Sequence, residues 1–217
     1  MTRAIIFANG QMESLPAAIR AILPSDFIIA ADGGASHCQA FGITPNIIIG
    51  DLDSLHQAQL STYRSAGVEI IQHPSRKDET DLELALQLAS DRKFAPVFIV
   101  AALGARWDMT ISNVFLAVQE KFADLHIRLL DGDQEIAFLR GEASLHIDGR
   151  QGDTLSLLPV NGDAVGITTR GLEYPLVGED LNFGSPRGVS NRIVDAHAQV
   201  SLKTGIILVC LLKSGNE

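Results

Sequence analysis

The chain has 217 residues, 46% of them hydrophobic and 20% charged, which suffices for one large domain or two small ones and excludes intrinsic disorder. Seventeen Lys and Arg against 26 Asp and Glu leave a net charge of -9, the wrong sign for a protein that grips nucleic-acid backbone. The longest apolar run, residues 205–212, stops at Lys213, well short of the roughly 18–20 residues of a membrane-spanning helix, and reads as a buried strand.

The elements follow in chain order. An apolar run at 4–8 turns polar at Asn9-Gly10-Gln11, too soon for a secretory signal, which predicts a cytoplasmic protein. Further strands are expected at 27–31, 46–49, 68–72, 97–103 and 126–130, most without polar alternation, as for parallel strands covered on both faces. Helices are expected between them at 13–22, 36–41, 56–66, 80–90 and 110–122. The fourth opens on Thr80-Asp81-Leu82-Glu83, a capping-box pattern with acid at the positive helix end.

Beyond Asp131 the texture changes to short runs at 135–139, 144–147, 154–158, 165–168, 198–202 and 206–211, punctuated by Asp131-Gly132, Asp148-Gly149 and Asn161-Gly162. The expected architecture is therefore a parallel-sheet α/β domain over 1–131 followed by an antiparallel β-sandwich over 132–217. Two cysteines, Cys38 and Cys210, are too few for a disulfide framework or a zinc site and read as reduced packing residues.

In open parallel sheets ligands bind beyond the carboxyl ends of the strands. Four consecutive strand exits carry aspartate there: Asp32-Gly33-Gly34, Gly50-Asp51-Leu52-Asp53-Ser54, Lys77-Asp78-Glu79-Thr80-Asp81, and Gly104-Ala105-Arg106-Trp107-Asp108. Asp is a common turn residue, but like charges gathered at one sheet edge repel unless a cation sits among them. A set of oxygen ligands points to Mg²⁺, which completes its shell with water and substrate phosphates. Lys77 and Arg106 stand among the acids, each able to meet a phosphate or a neighbouring carboxylate. The glycines Gly33, Gly34, Gly50 and Gly104 let backbone approach a ligand closely. No Gly-x-Gly-x-x-Gly follows the first strand and no P-loop motif is present, which removes the main support for dinucleotide redox and P-loop readings.

Taken in order, Asp32-Gly33-Gly34-Ala35, Ile48-Ile49-Gly50-Asp51-Leu52-Asp53-Ser54, Asp78-Glu79-Thr80-Asp81-Leu82-Glu83 and Gly104-Ala105-Arg106-Trp107-Asp108 with Asn113 resemble thiamine pyrophosphokinase. Gly171-Leu172-Glu173-Tyr174-Pro175-Leu176 and Arg187-Gly188-Val189-Ser190-Asn191 resemble that family's thiamine-side segments, so the likeness spans nearly the whole chain. The resemblance implies a nucleotide-binding α/β domain, a β-sandwich for thiamine binding and dimerisation, and a homodimer. It implies Mg-dependent transfer of a diphosphoryl group from ATP to the hydroxyl of thiamine, giving AMP and thiamine diphosphate.

Carried onto this chain, the resemblance assigns Asp51, Asp53, Asp81 and Asp108 to Mg²⁺, one of them also able to take the hydroxyl proton. It places Asp32, Gly33, Lys77, Thr80, Arg106 and Asn113 on the ATP side, with Arg106 countering charge that develops during transfer. Thr80 has a second reading as a helix cap alone. Tyr174, Ser190 and Asn191 fall on the thiamine side, where an aromatic face suits a cationic thiazolium; Tyr174 reads equally as sandwich or interface packing. Two positions depart from the family pattern: Ala105 where a second glycine is usual, and Met109 where a histidine is usual.

Two other functions compete. A haloacid-dehalogenase-type phosphatase would use Asp51 of the Asp-x-Asp as a covalent nucleophile, but that motif normally follows the first strand. A non-catalytic thiamine- and nucleotide-binding regulator would follow if Ala105 and Met109 had abolished turnover.

Overall fold

The computed structural model describes residues 2–16, 19, 22–104 and 106–214. The chain divides into two compact units, Met1–Gly132 and Asp133–Glu217. Of the helix expected over 13–22, residues 13–16 are not helical, and residues 17, 18, 20 and 21 lie outside the described residues, as does Ala105.

The first unit is a parallel sheet with helices. Its strands are β1 (Ala4–Phe7), β2 (Phe27–Ala31), β3 (Ile47–Gly50), β4 (Glu69–Gln72), β5 (Val97–Val100) and β6 (Arg128–Asp131), in the spatial order β6-β5-β1-β2-β3-β4. Every pairing between these neighbours is parallel. Helices α1 (Gly34–Ala40), α2 (Gln57–Ser65), α3 (Asp81–Asp91) and α4 (Trp107–Ala117) connect them, with a 3₁₀ turn at Glu120–Leu125.

The unbroken apolar runs are explained by cover on both faces. Ile5, Phe7, Ile28, Ala30 and Ile48 share one core cluster with Ala35 and Cys38 of α1 and Leu60 and Tyr63 of α2. The alternate residues Ile6, Ile29, Ile47 and Ile49 are also buried, and α3 packs on β1, β2 and β3. Burial pushes the Cys38 thiol up to about 12, which fits a reduced packing residue.

A part-buried ion pair ties the start of β1 to the start of β2. Arg3 Nε donates to Asp26 Oδ1 at 2.7 Å, the second guanidinium nitrogen meets Oδ2, and the Leu23 amide also donates to Oδ2 at 2.7 Å. Burial works against the Asp26 carboxylate, but these hydrogen bonds and the Arg3 charge outweigh it and hold its pKa below the usual value.

The second unit is antiparallel. Its strands are β7 (Gln134–Arg140), β8 (Ala143–His146), β9 (Thr154–Pro159), β10 (Ala164–Arg170), β11 (Val177–Leu181), β12 (Asn191–Arg192), β13 (Gln199–Leu202) and β14 (Ile206–Leu212). One layer runs β12-β9-β14-β7 and the other β11-β10-β13-β8. Leu155, Leu157, Ile207 and Val209 of the first layer share a core cluster with Ile167, Leu181, Val200 and Leu202 of the second, which makes a sandwich. The architecture is the expected α/β unit followed by a β-sandwich.

Several bounds differ from expectation for local reasons. β5 stops at Val100 because Ala101 turns left-handed, with φ 54. α4 starts at Trp107, earlier than 110, and ends at Ala117, and the 3₁₀ turn that follows closes on His126 at φ 47. Strands β11 and β12 were not expected. β11 carries Gly178, Glu179 and Asp180 on an edge, and β12 has two residues paired with β9, so neither shows an apolar run.

Candidate active site

The sheet order reverses at β1, which has β2 on one side and β5 on the other. A crevice opens at such a switch point, beyond the carboxyl ends of the strands. Here it is a cleft of about 420 Å³ lined by Asn9 and Gly10 after β1, Asp32 after β2 and Ala101, Ala102 and Gly104 after β5. Lys77, Thr80 and Asp81 from the approach to α3, with Arg106, Met109 and Asn113 from the α4 side, complete it.

The backbone leaves these strands in strained turns. Asp32, Leu52 and Ala101 have φ values of 43, 66 and 54, so three strand exits each hold a left-handed residue other than glycine. Such conformations cost about 1–3 kcal/mol each and gather where a site imposes them.

One carboxylate oxygen from each of Asp32, Asp51 and Asp53 lies within 4.8 Å of the other two. Asp32 is 5% exposed, and its Oδ1 is buried with no hydrogen-bond partner among the described residues. Asp51 Oδ1 accepts from the Asp53 amide at 3.2 Å, and Ser54 Oγ donates to Asp53 Oδ1 at 3.2 Å. Three carboxylates this close repel, and an unpartnered buried oxygen is costly, so the donor set fits a hard divalent cation.

Asp81 sits beside this group but is turned to Lys77, whose Nζ lies 2.9 Å from Asp81 Oδ1. Burial lowers the Lys77 pKa, yet the Asp81 pairing, with Asp51 and Asp32 behind it, outweighs that and the net shift is upward. Gly50 makes the convergence possible. With φ 149, a Cβ there would stand 3.0 Å from Asp32 Cβ and 3.0 Å from Asp81 Oδ1.

The remaining expected residues fall as follows. Thr80 caps α3, its side chain accepting from the Glu83 amide at 3.2 Å, and also lines the cleft. The Glu83 carboxylate goes to Lys121 at 2.5 Å. Arg106 Nε donates to Asp108 Oδ1 at 3.1 Å, and the pair is exposed; of the four expected metal ligands only Asp51 and Asp53 fall in the close cluster, which Asp32 completes, while Asp81 and Asp108 are each paired with a cation. The hydrogen bonds from Arg106 hold the Asp108 carboxyl below its usual value. Asn113 is 6% exposed; its Nδ2 donates to Ala102 O at 2.7 Å and its Oδ1 has no partner among the described residues.

Gly33 and Gly34 serve close packing of α1 on β1. A Cβ on Gly33 would meet Asn9 Oδ1 at 2.2 Å, and one on Gly34 the Phe7 carbonyl at 1.9 Å. Asn9 is a cleft residue that the pattern of aspartates passed over. It follows β1 directly, so the rule applied to the other strand exits finds it too.

In the second unit, Tyr174 is 66% exposed, which removes the reading of it as sandwich core. Its backbone is held by Asn191, whose Oδ1 accepts from Tyr174 N at 3.1 Å while Nδ2 donates to Tyr174 O at 2.7 Å. Ser190 has φ 63, and its amide donates to Ser156 Oγ at 3.0 Å. Asn191 therefore orients Tyr174, with its amide already engaged.

Two family models match the chain: "Thiamin pyrophosphokinase, catalytic domain" over residues 20–129 and "Thiamin pyrophosphokinase, vitamin B1 binding domain" over 142–207. The chain is 28% identical over 182 residues to the thiamine pyrophosphokinase of Bacillus subtilis, covering 83% of this chain and 85% of that one. It is 27% identical to thiamine pyrophosphokinase 2 of Arabidopsis thaliana over 210 residues, covering 85% and 78%. Among solved structures it is similar to thiamine pyrophosphokinase from Bacillus subtilis, with TM-score 0.87, 24% identity and coverage of 98% and 100%. It also resembles a thiamin pyrophosphokinase family protein from Enterococcus faecalis, with TM-score 0.84, 26% identity and coverage of 98% and 100%.

Proposed function

Because the chain belongs to the thiamine pyrophosphokinase family, we propose that it transfers a diphosphoryl group from ATP to the hydroxyl of thiamine. The hydroxyl oxygen bonds to the β-phosphorus, the bond from that phosphorus to the AMP oxygen breaks, and the hydroxyl proton passes to a carboxylate. AMP and thiamine diphosphate are the products. The observation that carries this reading is the three-carboxylate cluster of Asp32, Asp51 and Asp53, with an unpartnered buried Asp32 oxygen, beside the switch-point cleft.

Asp32, Asp51 and Asp53 are the residues that would hold Mg²⁺, which when bound supplies neutralisation of phosphate charge. Asp81 is the fourth acid of this group, and Asp108 lies farther out with Arg106. Lys77 and Arg106 offer the cations for a triphosphate, and the Arg106–Asp108 pair is exposed enough that exchange for a phosphate costs little. Thr80 borders the nucleotide, Gly33 lets Asn9 of the cleft pack closely beside it, and Asn113 presents an acceptor. Phosphoryl transfer depends on positioning and charge more than on covalent catalysis, which suits a site built of fixed carboxylates.

Tyr174, oriented by Asn191 and flanked by Ser190, offers an exposed aromatic face to the thiazolium cation. The protein is a cytoplasmic homodimer acting on ATP and thiamine, without nucleic acid or membrane. Neither competing function is favoured: Asp51 follows the third strand in chain order and not the first, and the relatives that match over most of the chain are named as thiamine pyrophosphokinases. The metal requirement is tested by assaying AMP and thiamine diphosphate with and without EDTA. Equal amounts of the two products with Mg²⁺, and none with EDTA or in Asp51→Asn, are expected; undiminished turnover in EDTA would contradict the reading.

A further inference from the structure

We propose that Lys77 is a built-in counter-cation that withholds Asp81 from a divalent cation in the acidic site until a polyphosphate takes the ammonium. The proposal rests on the transferase reading for the identity of the polyphosphate, and on the observed geometry for the competition itself.

Four aspartates converge here, yet they are not equivalent. Asp32, Asp51 and Asp53 offer oxygens within 4.8 Å of one another, and the buried Oδ1 of Asp32 lacks a hydrogen-bond partner among the described residues. Asp81 is the exception, although its Oδ1 and the Cβ of Asp32 both stand 3.0 Å from the space where a Gly50 side chain would begin. Its Oδ1 is also buried without a well-aligned hydrogen bond among the described residues, but it is ion-paired to the Lys77 ammonium at 2.9 Å, with side-chain exposures of 11% for Lys77 and 28% for Asp81. This is not a solvated surface pair.

The charges set the direction of the effect. Lys77 partly offsets the aspartates when no other cation is near, which explains how so many acids share one sheet edge. A divalent cation entering among Asp32, Asp51 and Asp53 approaches an ammonium already held on the neighbouring Asp81, and like charges repel. It also finds Asp81 already claimed. A nucleoside triphosphate removes both obstacles, because its oxygens give the ammonium a stronger partner and release Asp81. Cation and nucleotide therefore favour each other through Lys77, and the coupling is reciprocal.

The test measures Mn²⁺ alone, by the electron paramagnetic resonance signal of free Mn²⁺, on the full chain without nucleotide. Removing the ammonium in Lys77→Gln is expected to tighten Mn²⁺ binding about 5–10-fold, within the usual range of such couplings, and Lys77→Arg to stay within about twofold of the parent. Lys77→Met, which keeps the aliphatic stem, is the second variant should the glutamine form fold poorly, as judged by thermal unfolding. In an Asp81→Asn background the gain should fall to about half or less, because relief of the like-charge repulsion remains while no carboxylate is left to release. Unchanged or weaker Mn²⁺ binding in both uncharged variants would overturn the proposal, as would a gain of full size in the Asp81→Asn background. Absence of AMP formation from ATP and thiamine would sink the transferase reading while leaving this comparison intact.

Discussion

Gly50 carries more of the site than its size suggests. Its φ of 149 is one that residues with a side chain rarely adopt, and the 3.0 Å approach of Asp32 Cβ and Asp81 Oδ1 means that a Cβ would force these neighbours to give by a few tenths of an ångström. Gly50→Ala should cost about 1–3 kcal/mol of stability through backbone strain alone. It should also lower kcat/KM, by about tenfold, because the carboxylates are pushed apart by a few tenths of an ångström; a variant with near-parental turnover would show that the acids need not converge. On the vitamin side, Tyr174→Ala should raise the KM for thiamine about tenfold, the size of a cation–aromatic contact, with no change in melting temperature because the ring is exposed. Away from the site, Asp26→Asn should cost about 2 kcal/mol by removing the charge from the carboxylate that meets Arg3. Because the folded pKa of Asp26 lies below its unfolded value, the pair's contribution is fully present above the ordinary carboxylate range. It is lost as pH falls through the depressed folded value. Denaturant unfolding of parent and Asp26→Asn should therefore converge in acid; a constant gap down to the lowest pH would contradict this.

The elements show how much of the site could be read from residues in order. The start of α3 was legible because capping chemistry is local: Thr80 accepts from the Glu83 amide as the pattern predicts. Only half of the capping box forms, since the Glu83 carboxylate is drawn to Lys121, 38 residues on, and no local pattern reports such a partner. Thr80→Ala should lower stability by about 1 kcal/mol, and Thr80→Ser should restore it. If the threonine also touches nucleotide, the KM for ATP will rise in Thr80→Ala; an unchanged KM assigns it to the helix alone. The strand exits were legible as a set because Asp32, Asp51 and Asp53 follow apolar runs directly. Which acids converge was not, because that depends on the left-handed turns at Asp32 and Leu52 and on Lys77 engaging Asp81. Asp108 looked equivalent in spacing, yet the chain places it beside Arg106, two residues away, and the short pair keeps it at the surface. Edge strands β11 and β12 gave no apolar signal, since an edge position rewards Gly, Asp and Asn over a hydrophobic run.

At the scale of the whole molecule, the change of texture near Asp131 has a physical basis. Strands covered on both faces read as unbroken apolar runs, while sandwich strands alternate, as in β9 and β13. The family models match one unit each, with the carboxylate cluster in the first and Tyr174 in the second. The central claim is that these parts move an intact diphosphoryl group. The most direct measurement is a ³¹P NMR time course of the purified protein with ATP, Mg²⁺ and thiamine. Loss of the three ATP resonances should be matched by the single resonance of AMP and the coupled pair of thiamine diphosphate, with no ADP, and with no change when thiamine is omitted. Formation of ADP with thiamine monophosphate, or release of inorganic phosphate, or ATP left intact with both ligands bound, would contradict it.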